Sequence, residues 1–328
     1  MSGETANIPI LTIAIPTYNR SKLLLECLNN LTKEVNELEN PEVVEILISD
    51  NASTDCTRKM LEEKFSEIKY YCNEKNMGVE YNVDRCFQYA NGQYTYILSD
   101  DDILLPGSLD EIIKMILRYK PNFIHLNTVN FYRKFIDLAH CTEPRLRLVQ
   151  NVVTNDKNSF FELVNIHVTY LSSSVYRTSI AKTVDRNRYK GEFISSGQTV
   201  LYCLKEPGNY IAIKQPCVAG RGGNTGGYNL YTVWVKGYRR LILQIGDEAG
   251  IEEKILKKVY KKTMRKQVLG FILAFRTTEK GLSLENRHYI FEGVKEFPAL
   301  WIPFIVATYA PPKFLMFIMQ IYQRCKRK

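Results

Sequence analysis

Strand-like apolar runs alternate with helical repeats, without interruption, over about the first 125 residues of the chain. The first run, residues 9–15, is apolar and rich in β-branched side chains, as a strand covered on both faces should be. Between the runs, apolar residues recur at the three- and four-residue spacing of helices. The later runs are residues 43–50, 68–72, 94–98 and 123–126. The alternation predicts an α/β fold with a mainly parallel sheet flanked by helices.

Three polar clusters directly follow strands of this predicted sheet. They are P-T-Y-N-R at 16–20, S-D-N-A-S-T-D at 49–55 and S-D-D-D at 99–102. Open α/β sheets bind ligands in the crevice beyond the carboxyl ends of their strands. The three clusters are therefore expected to converge on one binding site.

The sharpest cluster is the acidic triplet Asp100, Asp101 and Asp102. Adjacent carboxylates repel one another and burying unpaired charge is unfavourable, so a cation is expected beside them. Oxygen ligands without histidine or cysteine suit Mg²⁺ or Mn²⁺, which bind through a few carboxylates together with substrate phosphates. The alternative is a solvated acidic loop that caps the helix after Pro106.

The other clusters supply candidate contacts to a nucleotide. Asp50 ends an apolar strand, where it either accepts hydrogen bonds from a nucleobase N–H or closes an Asx-turn. Tyr18 is suited to stack on a base, with Thr17 and Asn19 at the base edge, although P-T-Y-N also describes a plain turn. Arg221 opens a Gly-rich stretch that runs to residue 229 and is a candidate partner for a diphosphate. A mobile connection is the alternative interpretation of that stretch.

Positive charge is concentrated in the C-terminal third of the chain. The net charge is +9, but residues 231–328 carry 19 Lys/Arg and 8 Asp/Glu, whereas residues 1–230 carry 25 and 27. An amphipathic segment at 251–269 places seven basic side chains on one helical face. This distribution favours an anionic partner surface, either membrane lipid or nucleic acid.

The remaining composition indicates a cytosolic protein. The eight cysteines form no C-x-x-C pair, so reduced thiols are predicted rather than a zinc site or a disulfide framework. No signal peptide is visible, and no run reaches the roughly 18–20 apolar residues of a spanning helix. The nearest run, residues 297–312, is uncharged but contains four prolines.

Four motifs, in this order, resemble those of family-two glycosyltransferases of the GT-A fold. They are P-T-Y-N-R, S-D-N-A-S-T-D-C-T, N-x-x-N-M-G-V-x-x-N and Y-I-L-S-D-D-D-I-L-L-P, and the resemblance is strong over residues 8–130. It implies a metal-dependent enzyme that moves a sugar from a nucleoside diphosphate sugar to a hydroxyl acceptor, with inversion at the anomeric carbon. The predicted nucleotide contacts are Pro16, Thr17, Tyr18, Asn19, Asp50, Asp100 and Arg221.

The resemblance also suggests how the triplet is used. The D-x-D motif of the family usually ends five residues before a proline, and counting back from Pro106 makes that last aspartate Asp101. Ser99 then stands at the first position, so the chain departs from a strict D-x-D. Asp101 is the predicted ligand of Mn²⁺ or Mg²⁺, and Asp100 contacts the ribose or the ion. Asp102 supports them, or becomes the ligand if the register shifts by one.

The catalytic base is harder to place. The family often has this carboxylate in an E-D pair before a helix, in a region that corresponds to about residues 190–200. The chain reads K-G-E-F-I-S-S-G-Q-T-V there and lacks the pair. Glu192 is the predicted base and Asp185 the next candidate, and each is equally consistent with an ordinary surface charge.

Three regions are predicted from these features. Residues 1–130 form the nucleotide-sugar half and residues 131–230 the acceptor half of one GT-A domain, followed by a basic helical extension at 231–328. The end of the extension is aromatic-rich and closes with R-C-K-R-K, which resembles an interfacial membrane anchor; a helix that packs on the domain is the alternative. Its aromatic residues are Phe297, Trp301, Phe304, Tyr309, Phe314, Phe317 and Tyr322.

The resemblance, together with the basic C-terminal region, implies an enzyme on the inner face of a bacterial cell membrane that builds surface polysaccharide on a lipid-linked acceptor. A nucleotidyltransferase also brings aspartates and Mg²⁺ to a nucleoside phosphate, but it usually needs a glycine-rich loop near the first strand, and P-T-Y-N-R has no glycine. A non-enzymatic protein that binds nucleic acid or another anionic surface would depend on the segment 251–269. No groove-reading motif accompanies that segment, so no nucleic-acid partner is predicted.

Overall fold

The computed structural model describes residues 8–132, 140–222, 229–277, 283–317 and 320. The chain divides into two compact units, Met1–Lys190 with Ser195–Asn224, and Gly191–Ile194 with Thr225–Lys328. Two regions lie outside the described residues. They are the predicted basic tail and most of the Gly-rich stretch after Arg221, for which a mobile connection is the alternative interpretation. The predicted division of the first part at residue 130 stays a prediction.

The first unit is built on one sheet. Its order in the described residues is β3-β2-β1-β4-β8-β6-β9-β5, with β7 paired to β9. Pairing is parallel from β3 through β4 and between β6 and β9, and antiparallel where β8 joins β4 to β6. The strands are β1 (Leu11–Thr17), β2 (Val44–Asp50), β3 (Lys69–Cys72), β4 (Tyr94–Ile97), β5 (Ile103–Leu104), β6 (Phe123–Phe131), β7 (Val152–Thr154), β8 (Ser174–Arg177) and β9 (Tyr210–Arg221).

The parallel prediction holds for the first four strands, and the sheet as a whole is mixed. Strand β8 comes from the region after residue 130, where the strand–helix alternation fades, and it enters the sheet between β4 and β6 in the opposite direction. Strand direction is set by the path of the connection. An apolar run that is buried on both faces reads the same in either direction, so its sequence carries no direction signal.

Helices cover both faces of the sheet. Apolar residues of α1, α2 and α4 form one core with Leu11, Ile13 and Ile15 of β1, which point to the same face because strand side chains alternate. Helix α3 packs on β1 and β2, and its Phe87 meets Tyr176 of β8 edge to face at 5.4 Å. The helices of this unit are α1 (Ser21–Asn36), α2 (Thr57–Lys64), α3 (Val79–Tyr89), α4 (Ser108–Tyr119), α5 (Lys157–Val164), α6 (Thr178–Ala181) and α7 (Ser195–Lys205).

The second unit is helical in its described residues, as the sequence predicts. Its α-helices are α8 (Gly246–Glu248), α9 (Glu253–Thr263), α10 (Leu269–Arg276), α11 (Tyr289–Val294) and α12 (Pro298–Tyr309). Helices α9 and α10 are continuous through a π-helical stretch, Met264–Val268, and the seven basic side chains predicted on one face are exposed. Across the described helices, none combines the length and apolar character needed to cross a bilayer.

Candidate active site

The three polar clusters meet where the strand order reverses. Strands β2 and β3 lie on one side of β1, and β4 lies on the other. The ladder between β1 and β4 ends at Ala14 and Ile97, and Thr17 and Asp100 lie just beyond it. Open α/β sheets bind ligands beyond the carboxyl ends of their strands at such a point.

The acidic triplet is buried at this point. Asp100, Asp101 and Asp102 are 4%, 7% and 3% exposed, so the interpretation of the triplet as a solvated acidic loop is wrong. Strand pairing fixes the chain on both sides of it, because β4 precedes the triplet and β5 follows it directly. In the pairing of β5 with β9, Ile103 lies opposite Ala219 and Leu104 lies opposite Val218.

Asp100 is tied to the end of β1. Thr17 Oγ1 donates to Asp100 Oδ2 over 2.8 Å, and Arg20 Nη1 lies 3.0 Å from Asp100 Oδ1 and 3.3 Å from Asp101 Oδ2. Burial raises the pKa of Asp100 to about 6, although the Arg20 guanidinium and the Thr17 hydroxyl favour its ionised form. The cation that the sequence leads one to expect beside the triplet is, in this structure, Arg20.

Asp102 is held by a different set of donors. Its Oδ2 accepts hydrogen bonds from Tyr170 Oη at 2.7 Å and Ser172 Oγ at 2.6 Å, and its Oδ1 accepts one from the backbone N–H of Arg221 at 3.0 Å. Burial and the neighbouring charge of Asp101 raise the pKa of Asp102 to about 6. These bonds join two separate parts of the first unit, residues 170–172 and the end of β9, to the triplet.

The guanidinium of Arg221 is also engaged within this unit. Its Nη2 lies 2.6 Å from Glu26 Oε2 on α1, and its Nε donates to the backbone oxygen of Asp101 at 3.3 Å. Its Cζ lies over the Phe131 ring, 4.7 Å from the ring centroid. Arg221 therefore braces the triplet. Its predicted contact with a diphosphate stays a prediction.

The predicted nucleobase contacts differ in exposure. Asp50 is fully buried: Oδ1 accepts hydrogen bonds from the backbone N–H and hydroxyl of Ser53, and Oδ2 accepts one from Tyr70 Oη at 2.7 Å. Tyr18 is 40% exposed, as a stacking platform requires. The backbone N–H of Asn19 donates to Ser53 Oγ at 2.8 Å, so the first and second clusters are directly bonded.

The remaining residue of the first cluster, Pro16, lies in β1 opposite Ser49 of β2. It falls beyond the last pair that β1 forms with β4, at Ala14 and Ile97. A proline fits this position because its missing N–H is not required by a neighbouring strand there.

Four asparagines lock the ends of β1 and β2 together, which the sequence did not reveal. Asn82 Nδ2 donates to the backbone oxygens of Ser49 at 2.8 Å and Thr17 at 3.3 Å, while its Oδ1 accepts from Ser49 Oγ. Asn51 Nδ2 donates to Asn76 Oδ1 at 2.7 Å, and its Oδ1 accepts from Asn73 Nδ2 at 3.0 Å. The N-x-x-N-M-G-V-x-x-N motif thus has a structural role beside the site.

The two base candidates lie in different units. Glu192 belongs to the second unit, where its carboxylate lies 3.0 Å from Arg240 Nε and 3.5 Å from Lys236 Nζ and is 6% exposed as a residue. Asp185 belongs to the first unit and is exposed; it accepts a hydrogen bond from the backbone N–H of Asn187 and caps a 3₁₀-helix. Both assignments stay predictions.

The donor set of the triplet fits a hard divalent cation. Asp100 and Asp101 direct carboxylate oxygens at one positive group, Arg20 Nη1. Within the described ranges, no three His, Cys, Asp or Glu side chains converge into a complete ligand set. An ion such as Mn²⁺ or Mg²⁺, which takes its other ligands from phosphate and water, is compatible with such a partial set.

Sequence reasoning missed several residues of the site. Arg20 stands in the P-T-Y-N-R motif, and the expectation of a nearby cation was the available signal for it. No local pattern marks Glu26, Tyr170 or Ser172. Each bonds to a residue of the site that lies at least 68 positions away in the chain.

The chain matches a known family over more than half of its length. The model of glycosyl transferase family 2 aligns with residues 12–185. Abequosyltransferase RfbV of Salmonella typhimurium is 38% identical over 104 residues, 30% of this chain and 30% of that protein. The GalNAc(5)-diNAcBac-PP-undecaprenol beta-1,3-glucosyltransferase of Campylobacter jejuni is 30% identical over 113 residues, 33% and 34% of the two chains. These alignments span about a third of each relative.

Solved structures match over nearly the whole chain. TarS 1-349 of S. aureus in complex with UDP has a TM-score of 0.65 at 16% identity, covering 96% of this chain and 91% of that one. The mannosyltransferase PcManGT of Pyrobaculum calidifontis, in complex with GDP-Man and Mn²⁺, has a TM-score of 0.51 at 15% identity, covering 94% and 86%. These likenesses confirm the predicted GT-A fold.

Proposed function

The chain belongs to glycosyl transferase family 2, and on that premise we propose that it transfers a sugar from a nucleoside diphosphate sugar to a hydroxyl group of an acceptor. The family match favours this function over a nucleotidyltransferase or a protein that only binds nucleic acid. UDP and GDP-mannose are bound by the structural relatives, which supports a nucleotide-sugar donor here.

One observation carries the proposal. The buried aspartates lie at the point where the strand order reverses, and Thr17 and Arg20 bind them from the end of β1. In the same loop Tyr18 is exposed and Asn19 is bonded to the Asp50–Ser53 turn. A nucleotide whose base stacks on Tyr18 would place its diphosphate toward the triplet.

We propose Asp101 as the metal ligand, with Asp100 at the ribose or the same ion. Among the bonds given for the described residues around the triplet, the four carboxylates of the triplet and Glu26 meet the guanidinium groups of Arg20 and Arg221, so the carboxylates outnumber these two cations. A diphosphate would add further negative charge, so the carboxylates require a cation if a donor is to bind there. When bound, Mn²⁺ or Mg²⁺ would supply Lewis acidity that stabilises the charge of the departing diphosphate.

Transfer with inversion needs a base on the acceptor side. The base takes the proton of the acceptor hydroxyl, the oxygen attacks the anomeric carbon, and the bond from that carbon to the diphosphate breaks. We propose Glu192 for this role, because it is the nearest carboxylate before α7, which begins at Ser195, in the region where the family often has its base. Asp185 is the second candidate, although its carboxylate already caps a helix.

We further propose a lipid-linked acceptor at a membrane surface. The Campylobacter jejuni relative carries undecaprenol in the name of its substrate. Helix α12 has no charged residue and leaves Trp301, Ile302, Ile305 and Tyr309 between 37% and 76% exposed. Apolar exposure of this kind next to a basic region is typical of helices that lie in a membrane interface. The cytoplasmic face of the membrane is the location we propose.

A donor screen tests the proposed function. Thermal unfolding is measured with UDP-, GDP-, CDP- and dTDP-sugars, with and without Mn²⁺, because a ligand that binds only the folded state raises the melting temperature. The proposal predicts that at least one sugar nucleotide raises it, more strongly with Mn²⁺, and that the same donor is turned over to its nucleoside diphosphate. Absence of any shift across the four donors would contradict it.

A further inference from the structure

Arg20 occupies the face of the acid pair that is open to solvent. A single nitrogen, Nη1, contacts both Asp100 and Asp101, at 3.0 and 3.3 Å. The Arg20 side chain is 34% exposed, whereas the two carboxylate side chains are 5% and 9% exposed. The Arg20 guanidinium is therefore on the more exposed side chain of this cluster.

The backbone on either side of Arg20 is fixed, but its side chain is not enclosed. Asn19 is bonded through its N–H to Ser53 and through its Oδ1 to the N–H of Thr54. The N–H of Ser21 donates to Asp55 Oδ2 at 2.9 Å. The long side chain of Arg20 can therefore change partner by rotation alone, while the loop keeps its position.

A guanidinium and a divalent ion that bind the same pair of carboxylates weaken each other's binding, because their like charges repel over a few ångströms. A diphosphate offers Arg20 an alternative anion, and guanidinium groups bind phosphate with charge-assisted hydrogen bonds. Arg20 can bind either carboxylate or phosphate, and both anions would be present together only when a donor is bound.

We propose that Arg20 is a positioning residue that holds Asp100 and Asp101 in the donor-free protein and leaves them for the donor diphosphate when metal and donor bind together. This inference depends on the proposed function. Arg20 thus disfavours metal binding before the donor arrives and favours it afterwards. An arginine that only neutralises the triplet would stay on the carboxylates in both states.

The test is Mn²⁺ binding by the nucleotide-free protein, measured from the paramagnetic resonance signal of free Mn²⁺. Arg20→Gln removes the competing charge, so its dissociation constant for Mn²⁺ is expected to fall by roughly tenfold or more relative to the wild type. Lys22→Gln removes a charge from an exposed neighbour on α1 and is expected to bind Mn²⁺ like the wild type. Arg20→Lys keeps a cation and should restore weak binding.

A second arm uses UDP and GDP as probes at saturating Mn²⁺. Arg20→Gln is expected to bind the preferred nucleotide at least about fivefold more weakly, because it lacks the phosphate partner. Arg20→Met, which keeps the aliphatic stem, repeats both arms if the glutamine variant does not fold. Unchanged Mn²⁺ affinity without nucleotide in the charge-removal variants overturns the inference. Failure of the wild type to bind any nucleotide instead contradicts the proposed function, and the Mn²⁺ arm still reports on Arg20.

Discussion

Asp100, Asp101 and Asp102 are consecutive in the chain but have different partners. Asp100 is held by Thr17 and Arg20, and Asp102 by Tyr170, Ser172 and a backbone N–H. The triplet lies in a turn in which the backbone N–H of Asp102 donates to the backbone oxygen of Ser99, so consecutive carboxylates point in different directions and meet different parts of the unit. The difference in partners supports different roles, with Asp102 as the support and Asp100 and Asp101 as the pair that faces a ligand.

The base assignment is tested by comparing two carboxylates. Glu192→Gln is expected to lower kcat/KM by about 100-fold or more, because general-base catalysis contributes about that much, while donor affinity is unchanged. Asp185→Asn is the matched control and should keep kcat/KM near that of the wild type. Steady-state transfer kinetics, with donor binding measured separately, give the answer. The reverse pattern would assign the base to Asp185.

His125 gives the fold a pH dependence. It is 1% exposed in β6, and burial, followed by His167 and Arg145, lowers its pKa to about 3. The unfolded chain binds a proton at this residue below about pH 6.5 while the folded chain does not, so the stability contribution is complete above about pH 6.5 and is lost as the pH falls.

The magnitude follows from that linkage. Because the folded chain keeps His125 neutral, the free energy of unfolding of the wild type should fall by up to about 1.4 kcal/mol as the pH is lowered from about 6.5 to 5.5. The variant His125→Asn should lack this dependence. Urea denaturation at both pH values measures it, with the exposed His288→Asn as control. Equal slopes in the wild type and His125→Asn would show that His125 does not titrate on unfolding.

At the scale of elements, the ends of β1 and β2 are joined by side chains from α3 and the turn before it. Asn82, 3% exposed at the start of α3, bonds to the backbone of both strands. It fixes the relative position of Thr17 and Ser49, and through them the clusters that follow each strand. The asparagines therefore support the site without facing a ligand.

Removal of the Asn82 amide should cost stability. Asn82→Ala removes hydrogen bonds from the buried backbone oxygens of Ser49 and Thr17, although Thr17 keeps the bond from the N–H of Asn51, and this loss is expected to lower the free energy of unfolding by about 1–3 kcal/mol. Chemical denaturation measures the change. Gln88→Ala, on the exposed face of the same helix, is the control and should change stability by less than about 0.5 kcal/mol. A loss for Asn82→Ala no larger than this would remove the bridging role.

Local sequence patterns predict the strands and the position of the triplet, whereas contacts between residues that are far apart in the chain could not be predicted. Strands β1, β2 and β3 and the position of the triplet follow from short apolar runs, since each run is a local signal. The contacts of Arg20 with Asp100 and of Tyr170 with Asp102 join residues 80 and 68 positions apart, and no local pattern encodes them. The burial of Asp50 likewise depends on Tyr70, which comes from another strand.

At the scale of the whole molecule, charge and apolar exposure are distributed unevenly along the chain. Residues 231–328 hold the positive excess, and the same region contains α12 with its exposed apolar side chains. Within α12, Leu300 and Phe304 are buried and Trp301 and Ile302 are exposed. Helix α12 thus packs into the second unit and also exposes an apolar surface, and the interpretation as an interfacial membrane anchor stays a prediction.

Membrane association should depend on that exposed surface. The double variant Trp301→Gln/Ile302→Gln is expected to reduce binding to phosphatidylglycerol-containing vesicles by about tenfold or more, because each side chain contributes about 1.5–3 kcal/mol when buried in an apolar phase. Sedimentation with vesicles measures the bound fraction. Val149→Gln changes an apolar residue that is 90% exposed in the first unit and serves as control. Equal sedimentation of the double variant and the control would leave α12 without a membrane role.

We propose that the acidic triplet binds a divalent ion that holds the donor diphosphate. Isothermal titration with the nucleoside diphosphate selected by the donor screen, with and without Mn²⁺, tests it in the wild type, Asp101→Asn and the exposed control Asp110→Asn. We expect Mn²⁺-dependent binding by the wild type and Asp110→Asn, and at least about tenfold weaker binding by Asp101→Asn. Binding by Asp101→Asn that is as tight and as Mn²⁺-dependent as that of the wild type would contradict it.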